Sequence, residues 1–178
     1  MPRIFGSPIE KEALRRLVGG MAQVAGIRLV ELADGRVRGL RAADVYTGSG
    51  FRFQVLLDRG LDLGAAEHSG RPLAWLHPAL GSPALHEPGG IGWLRTFGGG
   101  LVTTCGLDHF GAPDPEGDGY GLHGRASHLP AENLRVRQEW RGDDYVIELE
   151  GETRQGRLFG ENLRLERIDR ETGLQKFG

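Results

Sequence analysis

Residues 133–155 read NLRVRQEWRGDDYVIELEGETRQ and decide the fold class. Apolar and polar residues alternate on both sides of the central RGDD. The apolar positions of this alternation are Leu134, Val136, Tyr145, Ile147 and Leu149. A period of two is typical of a strand with one buried and one exposed face. The stretch therefore predicts an antiparallel hairpin that turns at RGDD.

Segments of the same kind precede this hairpin. FRFQVLL at 51–57 alternates Phe51 and Phe53 with polar residues, which predicts a strand with one wet face. Apolar runs at 23–32 and 36–48 are separated by Asp-Gly, a strong hairpin signal. These segments predict strands that follow one another as hairpins.

Two further runs complete the pattern. RPLAWLH at 71–77 is short and apolar, and ENLRLERIDRET at 161–172 begins another strand. From Ile168 onward the alternation fades. The chain is therefore predicted to be mainly β, with antiparallel strands in meander order.

One helix is predicted, over residues 7–18. Ser7 is placed to cap it and Pro8 to occupy its first position. Leu14 and Leu17 supply an apolar stripe, and two glycines follow the last turn.

Composition limits the classes of protein and partner. The 178 residues fit one domain over 1–178. Lys+Arg total 22 and Asp+Glu 24, a net charge of −2, which gives no electrostatic signature for nucleic acid or an anionic membrane. No apolar run is long enough to span a bilayer, and no signal-peptide stretch is present. The single cysteine, Cys105, forms no internal disulfide, and a cytoplasmic location is expected.

Glycine is abundant, at 30 residues, and concentrates in a middle segment, 78–130, that has no clean period. Its aromatic residues indicate an ordered loop region that carries function. Within it, GYGLHGRASH places His123 between two glycines, Gly121 and Gly124. An imidazole held in this way could exchange a proton with a hydroxyl group. The alternative is a histidine in a tight turn that bonds a carbonyl.

Arg95 and Trp93 lie together in GWLRTFGGG. An arginine offers a fork of donors that suits vicinal hydroxyls, and a tryptophan can stack on the C–H face of a sugar. The alternative is a surface arginine beside a core tryptophan.

Asp108 and His109 could form an acid–base pair, although neighbours on a strand point to opposite faces, so at most one is expected at a site. Asp58, Arg59 and Asp62 are expected to form a structural turn closed by an ion pair. Cys105 is expected to be a buried small hydrophobe.

Metal and cofactor sites are not predicted. The spacing of His123, His128 and Glu132 is not a zinc-binding spacing. The sequence has no phosphate-binding loop, no dinucleotide fingerprint after a strand and no nucleophile elbow.

Three segments together resemble a known family: DRGLDLGAAEHSGRPLAWLHP, EPGGIGWLRTFGGGLVTTCGLDHFGAP and GYGLHGRASHLPAENL. This is a bacterial family of unknown function in the aldose 1-epimerase (galactose mutarotase-like) superfamily, and the likeness runs from about residue 20 to about 165. The resemblance implies a large antiparallel β-sandwich, of which this chain is the N-terminal half. It also implies a small-molecule sugar as ligand, and acid–base ring opening that interconverts its anomers.

The resemblance assigns His123 as the catalytic histidine and Arg95 as the binding arginine, with Arg125 as a second candidate. Trp93, Asp108 and His109 complete the expected substrate-binding set. The family's second histidine and catalytic glutamate come later than this sequence reaches, which implies a shortened chain. An alternative is therefore a non-catalytic carbohydrate-binding module or an inactive remnant. A sandwich shortened in this way is expected to leave strand edges that another copy of the chain could cover.

Overall fold

The computed structural model describes residues 3–4, 6–78, 80, 86–87, 89–114, 116 and 119–172. The N-terminal elements are β1 (Arg3–Ile4), β2 (Ser7–Pro8) and α1 (Lys11–Leu17). Single turns of 3-10 helix cover Met21–Gln23, Gly35–Val37, Gly92–Arg95 and Ala126–His128. Among the described residues α1 is the one α-helix, and no helix there is long and apolar enough to cross a membrane.

The helix begins later than predicted, and Ser7 does not cap it. Ser7 pairs with Ile4 in a small hairpin, where Gly6 adopts a φ of +83°. Leu14 is buried as expected, but Leu17 is exposed, so the helix contributes a narrower apolar stripe than predicted.

A five-stranded antiparallel sheet follows in chain order. Its strands are β3 (Gly26–Glu31), β4 (Arg41–Tyr46), β5 (Phe51–Leu56), β6 (Asp62–His68) and β7 (Arg71–Pro72). Phe53 and Val55 are buried in the core, and the intervening Arg52 and Gln54 lie on the other face. The alternation in FRFQVLL is therefore confirmed.

The apolar run at 71–77 contributes less to the buried core than its composition suggests. It supplies β7 and then β8 (Trp75–Leu76), which pairs with β9 (Gly99–Gly100). Trp75 and Leu76 are more than half exposed, so this small sheet lies on the surface.

The predicted hairpin is confirmed as β10 (Ala131–Arg141) and β11 (Asp144–Gly156). β12 (Asn162–Thr172) pairs with β11 and completes a three-stranded antiparallel sheet. The strand predicted over 161–172 is confirmed, and it continues to Thr172 although the alternation fades after Ile168. Charged residues on the inner face of this strand hid the period.

The two larger sheets pack face to face. One core cluster joins Val45, Phe53 and Val55 of the first sheet to Ile147 and Leu149 of the second. This arrangement is the predicted antiparallel β-sandwich, with its core between the sheets.

An ion pair outside the apolar core also connects the two sheets. The Asp58 carboxylate accepts hydrogen bonds from Arg41 through its backbone N (2.8 Å), Nε (2.9 Å) and Nη2 (2.5 Å). Arg41 Nη2 also donates to the carbonyl of Ala131, at 2.9 Å. The partner of Asp58 is therefore Arg41 of β4. The predicted turn is present, since Arg59 N donates to the carbonyl of Leu56 and Asp62 N to that of Arg59, and within it Arg59 and Asp62 attract each other electrostatically.

Candidate functional site

Polar contacts join the segment 104–108 to strands of both larger sheets. Thr104 N donates to Asp62 Oδ1 at 2.6 Å, and Arg167 Nη1 donates to Thr104 Oγ1 at 3.1 Å. Four residues further on, Gln155 donates to Asp108. We call this region, with the adjacent His123, the inter-sheet site.

His123 is held in a left-handed backbone conformation, with φ of +60°. Its N–H donates to the carbonyl of Gly111 at 2.9 Å, and its own carbonyl accepts from Gly106 N at 2.9 Å. Such a conformation costs a non-glycine residue about 1–3 kcal/mol and persists only where the surroundings fix it. The backbone therefore sets where this imidazole lies.

The His123 ring is enclosed by aromatic side chains. Its centroid lies 4.9 Å from that of Trp93, edge to face, and 5.5 Å from that of Phe110. His123 Nδ1 is buried and has no hydrogen-bond partner among the described residues. A buried polar atom without a partner is costly, so the hydrogen-bonding capacity of this nitrogen is unused within the described residues.

Asp108 reaches the same place from the neighbouring segment. A Cβ added to Gly124 would lie 2.5 Å from Asp108 Oδ1, so the carboxylate sits directly against the residue after His123. Oδ2 accepts from Gln155, while Asp108 Oδ1 and Gln155 Oε1 are buried with no partner among the described residues. The site therefore presents acceptor atoms that are not used.

Behind the site, a hydrogen-bonded ring locks the supporting turns together. Trp93 Nε1 donates to Ser127 Oγ at 2.8 Å. Ser127 Oγ lies 3.2 Å from His128 Nδ1, and Thr96 Oγ1 lies 2.6 Å from His128 Nε2. Thr96 Oγ1 donates to the carbonyl of Trp93 at 3.4 Å, which closes the ring. With that hydroxyl proton committed, a neutral His128 that carries its proton on Nε2 can donate to Thr96 while Nδ1 accepts from Ser127.

Burial, with the nearby charges of Arg59 and His86, lowers the pKa of His128 to about 3. His128 is therefore neutral at physiological pH and acts as a structural member of the ring. His86 stacks on it with 4.2 Å between ring centroids. Burial also lowers the pKa of His86, and Arg125 and Arg59 add to that effect.

Arg59 and Asp62 are buried charged residues beneath the site. Arg59 is 2% exposed, donates from Nη2 to the carbonyl of Thr96 at 2.9 Å, and leaves Nη1 without a partner in the described part of the chain. Burial lowers its pKa. Burial raises the pKa of Asp62 to about 6, against the hydrogen bonds from Thr104. Burial, with the charge of Asp62, also raises the pKa of the half-buried Cys105 thiol.

The structure brings some predicted residues together and separates others. His123, Asp108 and Trp93 meet at the inter-sheet site, but Trp93 is 7% exposed and packs against Phe97, so its face is not open to a ligand. Arg95 is 74% exposed and pairs with Glu87 at 3.2 Å. No described hydrogen bond or ion pair joins it to His123.

His109 and Arg125 have different positions. His109 turns away from Asp108, bonds the carbonyl of Ala112 at 2.6 Å and stacks on Tyr120. The two neighbours do diverge, although they lie in a bend and not in a strand. Arg125 is half-buried and lies close enough to His86 for its charge to lower the His86 pKa.

Sequence reasoning missed Thr104, Gln155 and Arg167. Gln155 and Arg167 lie on strands, where an inward polar residue interrupts the apolar alternation, and that interruption was the available signal. Asp62 was read as structural, although it contacts Thr104 at the site. Among the described residues no group of three or more His, Cys, Asp or Glu side chains is placed to hold a metal ion.

Comparison with known proteins identifies the family. A family described as "Domain of unknown function (DUF4432)" matches residues 37–177. The chain belongs to the DUF4432 family. No curated protein sequence matches this DUF4432 chain.

A solved structure resembles this DUF4432 chain. It comes from Klebsiella pneumoniae subsp. pneumoniae MGH 78578 and is described as "a putative aldose 1-epimerase". The TM-score is 0.74 at 22% sequence identity, over 93% of this chain and 43% of that one. The DUF4432 chain therefore spans less than half of the protein it resembles. The likeness confirms the predicted mainly β, antiparallel fold.

Proposed function

We propose that this DUF4432 chain binds an aldose or a related sugar at the inter-sheet site, and that His123 and Asp108 interconvert its anomers. The observation that carries the proposal is the set of buried polar atoms without partners: Asp108 Oδ1, Gln155 Oε1 and His123 Nδ1. Two of these can only accept hydrogen bonds, so the ligand must donate. A sugar hydroxyl meets that requirement without a charge.

The chemistry needs one base and one acid. Asp108 takes the proton of the anomeric hydroxyl, and protonated His123 gives a proton to the ring oxygen. The bond from the anomeric carbon to the ring oxygen breaks as the carbonyl forms, the carbonyl end rotates, and closure reverses both transfers. No proton is gained or lost over the cycle. General acid–base catalysis contributes about 10²–10⁴-fold per group.

Binding without catalysis is the second candidate, and a specific observation favours it. His128, the next histidine after His123, has a pKa of about 3 and is committed to Thr96 and Ser127. It therefore cannot supply the second acid that the resemblance to mutarotases implies. Both candidates place the sugar at the same site, and the cytoplasmic location stays a prediction from the sequence.

NMR exchange between sugar anomers tests both candidates, with galactose, glucose and other aldoses. The variants are Asp108→Asn and His123→Asn, since asparagine tolerates the left-handed backbone of residue 123. His68→Asn is the control, because His68 lies exposed at the end of β6. Faster exchange that His123→Asn and Asp108→Asn each reduce at least tenfold, and His68→Asn leaves unchanged, supports catalysis.

Two other outcomes are informative. Line broadening of the sugar without faster exchange, lost in His123→Asn, supports a binding module and rejects catalysis. If a folded sample shows neither faster exchange nor line broadening, both candidates are contradicted. The acceptor atoms would then serve another protein segment.

A further inference from the structure

β12 is the outer strand of the three-stranded sheet. Among the described residues it pairs with β11 on one side and with no strand on the other. It is 11 residues long, contains no proline, and pairs with β11 without a register shift. Proteins usually interrupt such an edge, because its free N–H and C=O groups can pair with another strand.

The side chains of this edge are balanced in charge. Glu166 and Arg170 lie on the outer face with Ile168 between them, and Ile168 is 57% exposed. Arg167 and Asp169 are half-buried on the inner face. An exposed isoleucine at the middle of a long edge favours contact with another apolar group.

The order of these charges selects one self-pairing. When two copies pair about a twofold axis perpendicular to the sheet, each residue lies opposite a residue of the partner whose side chain is on the same side of the sheet. An axis at Glu166, Arg167 or Asp169 sets that residue against its own like charge. An axis at Ile168 sets isoleucine against isoleucine, Glu166 against Arg170, and Arg167 against Asp169.

An axis at Leu165 is the nearest competitor. It sets Arg164 against Glu166, which gives two opposite-charge contacts, and its overlap within β12 runs only from residue 162 to 168. The axis at Ile168 gives four such contacts, two of each kind, and its overlap runs from 164 to 172. Like charges directly opposite each other destabilise a strand pair, so the register at Ile168 is preferred.

We propose that β12 pairs antiparallel with β12 of a second copy of this chain, about a twofold axis at Ile168. The two three-stranded sheets then form one continuous sheet of six strands. Arg170 already donates to Glu148 at 2.7 Å, and its five N–H groups allow it to contact a second carboxylate. The exposed ion pairs fix the register more than they add affinity.

Cysteine cross-linking tests the pairing and its register. In a Cys105→Ala background, Ile168→Cys places two thiols on the axis, with Cα atoms about 4.5–5.5 Å apart, within disulfide range. Glu166→Cys is the matched control on the same face, with its two thiols offset by four residues each, about 14 Å apart. Mild oxidation is expected to cross-link Ile168→Cys at least tenfold faster than Glu166→Cys.

Sedimentation measures the association itself, from about 1 μM to about 1 mM. The original chain is expected to dimerise within this range, and Ile168→Lys, which sets two lysines on the axis, to weaken the dimer at least tenfold. A chain that stays monomeric throughout overturns the proposal. So does a dimer that Ile168→Lys leaves intact, or one in which Glu166→Cys cross-links as fast as Ile168→Cys.

Discussion

Two buried residues near the inter-sheet site have pKa values displaced in opposite directions. Burial raises the pKa of Asp62 to about 6 and lowers that of His128 to about 3. A carboxyl group that holds its proton more tightly when folded favours the fold at low pH, and an imidazole that resists its proton opposes the fold there. The two contributions therefore offset each other between about pH 4 and pH 6.

Asp62→Asn is expected to remove the contribution of Asp62 to the pH dependence of stability and leave that of His128. The folded pKa of Asp62 lies above its unfolded value, so its contribution to stability is fully present below about pH 4 and is lost as the pH rises through about 6. The free energy of unfolding of the wild type minus that of the variant should fall by about 1.4 kcal/mol per pH unit across that window. Urea unfolding at closely spaced pH values measures this difference, and curves that run parallel would contradict it.

At the scale of elements, the site depends on two loops that approach each other closely. Gly106 and Gly124 form an isolated parallel bridge, which sets the segment that carries Asp108 beside the segment that carries His123. A side chain at position 124 would collide with Asp108 Oδ1 and with the carbonyl of His109, both 2.5 Å from its Cβ. This contact explains why glycine follows the histidine.

Gly124→Ala is expected to displace Asp108 and weaken sugar binding at least tenfold. Gly35→Ala is the matched control, with φ of +67° against +70° at Gly124 and no heavy atom within 4 Å of an added Cβ. Both variants place alanine in the left-handed region, at a cost of about 1–2 kcal/mol, so both lower the melting temperature. Only Gly124→Ala should lose more stability than this. It alone should also lose sugar binding, as measured by NMR titration with the sugar. Equal effects would show that the contact with Asp108 is unimportant.

At the scale of the whole molecule, the two large sheets share one core. The cluster that joins Val55 to Ile147 contains buried apolar residues of both sheets, and only a smaller cluster of Leu40, Ala42 and Leu56 packs apart from it among the described residues. Because both sheets lose burial when they separate, they are expected to unfold as one cooperative unit.

Leu57→Ala tests this cooperativity. Leu57 is 1% exposed in the shared core, and its truncation is expected to cost about 2–5 kcal/mol. Hydrogen exchange of the amides of β11 should accelerate by the same factor as that of β5. Leu76→Ala, at an exposed position, is the control and should change neither. Acceleration confined to the first sheet would show that the sheets are separate folding units.

The sequence by itself determined the class of the fold and most of its strands. Alternation with period two is a local property, so β5, β10 and β11 could be predicted from a few residues each. It failed where polar residues face inward, as after Ile168 in β12, and where a local cap signal at Ser7 competed with pairing to Ile4. It also placed His123 and Asp108 among the candidate residues.

Only the tertiary structure decided which candidates meet. Asp108 lies beside His123 because a β-bridge joins Gly106 to Gly124, which are 18 residues apart in the sequence. Arg95 points outward from the same turn that buries Trp93. Gln155, Thr104 and Arg167 enter the site through contacts between distant strands and loops. Strand formation follows from near neighbours along the chain, but a site is made by hydrogen bonds and close contacts across it, and sequence spacing does not encode those.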